Sequence, residues 1–193
     1  MPRLIQCLFV FSTLALSWLA VQVVHEFGHV LHSWASNGVV KRVYLHPLDI
    51  SRTDLARNPH PLFVAWGGAI WGCVLPLVLF GLVRWLRPAL AYLPAFFAGF
   101  CLIANGSYLA AGSWAAVGDA GDLIRLGSPR WLVLALGLPA CGLGFFLWHG
   151  LGPSFGLGPV HGQVDRRAAC GVTFALIVLV LIELLTSGGA VRG

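Results

Sequence analysis

Three residues of one short stretch, His25, Glu26 and His29, have the types and the spacing of a metal-dependent hydrolase. On an α-helix, side chains four residues apart lie above one another, so two such histidines can bind one metal ion. The glutamate lies next to the first histidine, within reach of a water molecule on an open metal position. Two imidazole ligands with a neighbouring carboxylate as general base are typical of zinc hydrolases. We therefore predict Zn2+ as the cofactor, His25 and His29 as metal ligands and Glu26 as the catalytic base.

The residues before this motif indicate where it lies. Residues 4–24 contain no charged side chain, and a helix over this stretch is long enough to cross the ~30 Å hydrocarbon layer of a bilayer. Two histidines and a carboxylate are costly to bury in such a helix unless they are paired or bound to a metal. The pattern favours a metal site at the water-facing end of a membrane helix over a chance occurrence of the motif.

The composition indicates a membrane protein. Of the 193 residues, 58% are hydrophobic and 10% are charged, against about 45–50% and about 25% in soluble domains. We predict an all-α polytopic membrane protein that forms a single integral membrane domain over residues 1–193, with a core at about 4–127. Transmembrane helices are expected at about residues 4–35, 62–83, 90–117, 131–151 and 168–185, with a short β segment at about 39–45 after the first helix.

The net charge of +5 lies largely in the short connections, so it indicates membrane topology and not a nucleic-acid surface. The side of the bilayer that carries the histidine motif has slightly more Lys and Arg, which favours a cytoplasmic active site. The expected partners are the lipid bilayer and a membrane-protein substrate, and the sequence does not identify a regulatory partner. The five cysteines are scattered in apolar stretches, so we expect them to be buried apolar residues rather than disulfides or metal ligands.

Two histidines leave a zinc site short of its usual three protein ligands. Successive membrane helices alternate in direction, so the ends of the first and third spans lie on one side of the bilayer. Asp119 and Asp122 follow the third span and are the main candidates for the third ligand. Each also has a purely structural interpretation, because Asp119 suits a helix N-cap and Asp122 suits a first-turn dipole partner or a neighbour of Arg125.

Four further ionisable residues are expected to have other roles. His32 lies one turn beyond the second histidine on the same helix face, where it would support the ligands or lie at the interface. His46 and His60 are next to prolines in a loop and are expected to be solvated. Glu183 is the only glutamate after the motif, lies in the last span, and is assigned no catalytic role.

The motif and the later aspartate together resemble the site-2 protease family of intramembrane zinc metalloproteases. Those proteins pair an H-E-x-x-H helix with an aspartate in a Leu-Asp-Gly-like motif at the end of a third core helix. Residues 118–122, with the sequence Gly-Asp-Ala-Gly-Asp, are similar to a degenerate form of that motif. The resemblance, which covers about residues 15–125, implies a three-helix metalloprotease-like core with Asp119 as the third ligand and Asp122 as the alternative.

The resemblance also implies an activity, which is hydrolysis of peptide bonds in membrane-spanning substrates. Zinc would lower the pKa of its bound water, and Glu26 would transfer the proton to the leaving amine. The substrate helix would have to unwind, and the segment at about residues 39–45 is a candidate for binding it by strand addition. The family's glycine after the aspartate is Ala120 here, and its Asn/Pro signature before the aspartate is missing. Asn105 precedes Asp119 by 14 residues, about 21 Å along an unbroken helix, and is expected to lie too far from the metal to polarise a substrate carbonyl.

Three other functions remain open from the sequence. A membrane metal transporter can carry the same motif, but needs polar residues on several spans, and zinc uptake into liposomes would identify it. A di-iron membrane oxygenase shares the histidine pair but needs about eight clustered histidines, whereas this chain has seven; two irons per chain would identify it. The third is a catalytically inactive relative that acts as a scaffold.

Overall fold

The computed structural model describes residues 2–160 and 162–188, so the extreme ends of the predicted 1–193 domain lie outside the described residues. Within these ranges the chain forms six α-helices, a two-stranded sheet and short 3-10 turns. The elements in chain order are α1 (Pro2–Ala35), β1 (Val39–Tyr44), β2 (Arg52–Arg57), α2 (Pro61–Leu86), α3 (Tyr92–Ala115), α4 (Gly118–Arg125), α5 (Arg130–Trp148) and α6 (Arg166–Gly188).

Five of these helices, α1, α2, α3, α5 and α6, are long and apolar enough to cross a membrane. This confirms the predicted mainly helical chain with five long apolar helices. The fourth and fifth spans differ from the sequence-based bounds by two or three residues at some ends. The fourth ends at Trp148 because Gly150, with a φ of +82°, turns the chain out of the helix before residue 151.

Many large apolar side chains lie on the outer surface of the protein, and several hydroxyl side chains are buried. Phe146, Phe174 and Leu185 are exposed by 72%, 68% and 79%, while Ser33 and Ser113 are fully buried. Small and hydroxyl residues inside, with large apolar residues outside, are typical of helices that pack together in lipid. Cys7 and Cys170 lie on these outer faces, so their expected burial is wrong, because apolar residues of such a chain need no protein core.

The long helices pack in the spatial order α6, α1, α2, α3, α5, and α4 packs against α3 and α2. The contact between α1 and α2 depends on two glycines that face each other. A Cβ atom on Gly28 or on Gly67 would collide with the backbone carbonyl of the other. These glycines let the helix that carries the histidines approach α2 at backbone distance.

The strands β1 and β2 form an antiparallel hairpin in which Tyr44 pairs with Arg52 and Val43 with Thr53. The predicted strand after the first helix is confirmed as β1. The sequence did not predict β2, because half of its residues, RTDLAR, are charged and they lack the alternation of apolar side chains that indicates a strand. The hairpin matters for function because β2 lies over α1 at the level of the histidine motif.

Between α3 and α4 the chain reverses direction. Helix α3 continues without a break as far as Ala115, and Ala116 then adopts the left-handed conformation with a φ of +55°. Gly118 also has a φ of +55°, which glycine adopts without strain. The predicted third span, extending to residue 117, is therefore too long, and the reversal brings α4 back against the body of the protein.

Candidate metal centre

The structure brings His25, His29 and Asp119 together. Each offers one ligand atom, and the three atoms all lie within 4.8 Å of one another. Nε2 of His25 is 2.6 Å from Oδ2 of Asp119, Nε2 of His29 is 3.2 Å from the same oxygen, and the two Nε2 atoms are 3.2 Å apart. The two imidazoles come from adjacent turns of α1, whereas the carboxylate comes from the first turn of α4.

These separations suit a small tetrahedral ion. Ligands about 2.0–2.1 Å from a tetrahedral zinc ion are about 3.3 Å apart, close to two of the three distances. The third, at 2.6 Å, is a hydrogen-bond length and would widen by about 0.7 Å around an ion with this geometry. Two imidazole nitrogens and one carboxylate oxygen are also a common catalytic zinc donor set, so the residues present fit the metal.

The second histidine is fixed by a backbone carbonyl. Nδ1 of His29 donates a hydrogen bond to the carbonyl oxygen of Val64 at 2.8 Å. Because a carbonyl can only accept, Nδ1 carries a proton, and in the neutral ring Nε2 therefore has a lone pair that points at the cluster. Gly68 leaves the space in front of this lone pair, since a Cβ there would be 2.5 Å from Nε2 of His29 and would collide with Nε2 of His25.

Asp119 is held as an ionised carboxylate at the start of α4. Its backbone N–H donates to the hydroxyl of Tyr108 at 3.2 Å. Burial alone would raise the pKa of Asp119, but in the metal-free protein the protonated rings of His25 and His29 donate to its carboxylate and hold that pKa below its ordinary value. A carboxylate that stays ionised at neutral pH is available as a metal ligand.

Glu26 is 4% exposed and is held by the hairpin. The hydroxyl of Ser51 donates to one carboxylate oxygen at 2.7 Å, and the hydroxyl of Thr53 donates to the other at 2.6 Å. The backbone N–H of Ser51 also donates to the side-chain oxygen of Gln22 at 2.9 Å. Ser51 and Thr53 of the hairpin therefore fix Glu26, the predicted base, at the wall of the cavity that contains the histidines.

Asn105 lies at the site, which corrects the expectation that it would be too far away. Its Oδ1 is 2.8 Å from Nδ1 of His25. The expected distance of about 21 Å assumed an unbroken helix as far as Asp119, whereas the chain reverses at Ala116. In addition, His25 lies one helical turn before His29 on α1, and this brings it level with Asn105 on α3.

Other residues singled out from the sequence lie outside the three-residue cluster. Asp122 lines the cavity but forms an ion pair with Arg125, the structural interpretation considered for it. His32 stacks on Phe63 with ring centroids 4.0 Å apart and donates to its carbonyl. His60 is exposed before α2, and His46 is half-buried in the hairpin turn. Glu183 is buried in α6, and its Oε2 has no hydrogen-bond partner among the described residues.

A cavity of about 650 Å3 connects these groups. Its walls include the two histidines, Glu26, Asn105 and Tyr108, together with Ser51 and Thr53 of the hairpin. Trp18, Val21, Ile50 and Leu55 contribute apolar surface on the α1 and hairpin sides. The candidate metal position therefore opens onto a cavity with both polar and apolar walls.

Sequence reasoning missed the residues that hold the motif in place, which are Ser51, Thr53, Tyr108 and the carbonyl of Val64. No motif identifies them, because each acts through a contact between distant segments. The polar Asn105 within an apolar span was a usable signal, since such residues face the helix bundle and pair there.

The chain matches no protein-family model, no curated protein and no solved structure.

Proposed function

We propose that the chain is an integral membrane zinc metalloprotease similar to the site-2 proteases, with α1, α2 and α3 as its catalytic core. His25, His29 and Asp119 would hold the zinc ion, and Glu26 would act as the general base. One observation carries the proposal: two imidazole nitrogens and the carboxylate oxygen of Asp119, which is 94 and 90 residues further along the chain, all lie within 4.8 Å of one another. Such a cluster beside apolar helices is costly unless its members pair with one another or bind a cation, and one bound cation would satisfy all three ligand atoms.

Bound zinc would supply a Lewis acid and a water molecule with a pKa near 7. Glu26 would accept a proton from the attacking water on a carboxylate oxygen, and would then donate that proton to the leaving amine of the substrate. The hydroxyls of Ser51 and Thr53 orient the carboxylate for this transfer. The apolar residues of the cavity would exclude bulk water from the proton path.

The hairpin supports binding of an extended substrate. The sequence pointed to residues 39–45 as the strand that a substrate would join, but the cavity is lined by Arg52, Thr53 and Leu55 of β2. The sheet has two strands among the described residues, so β2 has one edge that β1 does not occupy. We propose that an unwound segment of a membrane-spanning substrate pairs with this edge, beside the cluster.

The proposed location is a membrane with the active site on its cytoplasmic side. The large apolar side chains on the outer helix faces support insertion into lipid. The ends of α1 and α3, the hairpin and α4 are close together, and the sequence assigns slightly more Lys and Arg to their side of the bilayer than to the other, which the positive-inside rule associates with the cytoplasm.

The decisive experiment compares two acidic residues of the same cavity. Purified wild-type protein, Glu26→Gln and Asp122→Asn are reconstituted into liposomes with single-span model substrates that contain helix-breaking Gly and Pro residues. We expect cleavage by the wild type and by Asp122→Asn, and none by Glu26→Gln, whose zinc content should equal that of the wild type. A chelator should stop cleavage, and zinc should restore it.

Cleavage by Glu26→Gln at the wild-type rate would refute the proposed mechanism. Zinc uptake into the same liposomes, without cleavage, would assign the chain to the transporters. Zinc binding with neither cleavage nor uptake would assign it to the inactive scaffolds, and two irons per purified chain would assign it to the oxygenases.

A further inference from the structure

Asn105 is a polar residue in the middle of a long apolar helix, α3, and its side chain is almost fully enclosed at 3% exposure. An amide buried in this way is costly in an apolar medium unless both of its ends are hydrogen-bonded. Both ends of this one have partners. Nδ2 donates to the carbonyl oxygen of Cys101 at 2.9 Å, and Oδ1 is 2.8 Å from Nδ1 of His25.

The first of these contacts fixes the orientation of the amide. The carbonyl oxygen of Cys101 can only accept a hydrogen bond, so the amide nitrogen must face it. The reverse orientation would place two acceptor oxygens about 2.9 Å apart, which is unfavourable. The amide oxygen of Asn105 therefore faces His25.

The orientation of the amide in turn fixes the proton of His25. Because Oδ1 is an acceptor, Nδ1 of His25 must be the donor, and the neutral ring then has its lone pair on Nε2. That Nε2 is the atom which faces Asp119 and His29. The two histidines thus reach the same tautomer by different means, His29 through the backbone of Val64 and His25 through a side chain.

Helix α2 leaves room for this amide at one position. A Cβ on Gly72 would be 2.7 Å from both Nδ2 and Oδ1 of Asn105. Any larger residue would force the amide to move away from its partners. The small residue opposite Asn105 is a second observation, independent of the hydrogen bonds, that this part of the core fits the amide.

We propose that Asn105 is a positioning residue that holds the proton of His25 on Nδ1 and so presents Nε2 to the metal. The role rests on the zinc site of the proposed function, and it assigns to Asn105 the support of a ligand instead of contact with the substrate. Partners of this kind fix the orientation of a ligating histidine and raise its basicity, and their loss typically weakens metal binding 10–100-fold.

The test is zinc affinity of the purified full chain in detergent, measured by competition with a chelating fluorophore, and it needs no substrate. Asn105→Leu, which suits a membrane helix but has no acceptor, should bind zinc about 10–100-fold more weakly than the wild type. Asn105→Asp keeps an acceptor oxygen and should restore affinity to the wild-type level or above. Gly72→Ala should weaken binding in the same direction as Asn105→Leu, although it removes no polar group.

Asn58→Leu makes the same substitution in another part of the cavity lining and should leave zinc affinity unchanged. The visible spectrum of the Co2+-loaded protein provides a second readout, which should change in Asn105→Leu and return in Asn105→Asp. Wild-type zinc affinity in Asn105→Leu, or equal weakening in the Leu and Asp variants, would overturn the positioning role and leave the zinc site standing. Failure of the wild type to bind zinc would overturn both.

Discussion

Helix α3 has two contact faces that differ in chemistry. Toward α5 it packs through glycines, since a Cβ on Gly106 would be 2.6 Å from the carbonyl oxygen of Gly137, and a Cβ on Gly144 would be 2.7 Å from that of Gly99. Toward α1 it presents Asn105, which is bonded to a histidine of the candidate metal centre. On the α5 side, glycines have no side chains and the two helix backbones come into contact. On the α1 side, the contact is a hydrogen bond between two side chains, with a defined donor and acceptor.

The two faces of α3 should therefore contribute to different properties of the protein, one to its stability and the other to metal binding. Contacts between glycines in lipid gain van der Waals packing but specify little chemistry. A buried polar network fixes particular atoms in particular protonation states, and its hydrogen bonds strengthen one another. Changes on the α5 face should therefore alter the free energy of unfolding, whereas changes on the α1 face should alter metal affinity.

The largest expected effect is the loss of a ligand on the functional face. Asp119→Asn and His29→Ala should each weaken zinc binding by more than about 100-fold, because even the loss of a residue behind a ligand costs about 10–100-fold. The measurement is competitive zinc titration in detergent, with Asp122→Asn as the matched control. Zinc binding by Asp119→Asn at the affinity of the control would show that the carboxylate of α4 is not a ligand.

The next effect concerns the space in front of the two imidazoles. Gly68→Ala would place a methyl group at Nε2 of both histidines, so we expect zinc affinity to fall about 10–100-fold, as for the loss of a supporting residue. The same variant should keep most of its helical circular dichroism. Unchanged affinity would mean that the metal lies elsewhere than between these nitrogens.

The glycine face should respond in the opposite way. Gly106→Ala forces α3 and α5 apart and should lower the free energy of unfolding by about 1–3 kcal/mol, the usual cost of overpacking. Gly142→Ala on α5 is the control, because nothing lies within 4 Å of a Cβ there. Thermal unfolding in detergent measures both. Zinc affinity of the folded protein should be the same in the two variants. Weaker zinc binding by Gly106→Ala alone would show that the two faces of α3 are not independent.

The smallest effect is expected at the start of α4. Tyr108→Phe removes the hydroxyl that accepts from the backbone N–H of Asp119, and a single hydrogen bond contributes about 0.5–1.5 kcal/mol. We expect a two- to tenfold loss of zinc affinity, roughly that energy converted to a ratio of equilibrium constants. A loss as large as that of Asp119→Asn would mean that the phenol itself has a larger role in the centre.

Much of this architecture follows from local patterns. The apolar stretches were sufficient to predict five long helices, because hydrophobicity over about 20 residues needs no knowledge of tertiary structure. The strand β2 was missed because most of its residues are polar and its pairing with β1 depends on the hairpin. The placement of Asn105 was wrong because the reversal at Ala116 has no strong sequence signal, alanine being an uncommon residue at positive φ.

The candidate site could be predicted only in part, because some of its contacts are local along the chain and others join distant segments. Helix geometry determines that His25 and His29 share a face, so their pairing followed from spacing alone. The choice between Asp119 and Asp122 depends on the direction of α4, which a sequence does not display. The hydroxyls that hold Glu26 come from the hairpin, 25 and 27 residues away, and no periodic pattern links them to it.

The central claim is that His25, His29 and Asp119 bind one zinc ion, and X-ray absorption spectroscopy of the zinc-loaded protein tests it most directly. We predict one zinc per chain with nitrogen and oxygen ligands only, at about 2.0–2.2 Å, and loss of the imidazole signal in His29→Ala. A sulfur ligand at about 2.3 Å, which would have to come from a cysteine, or an unchanged spectrum in His29→Ala, would contradict the account.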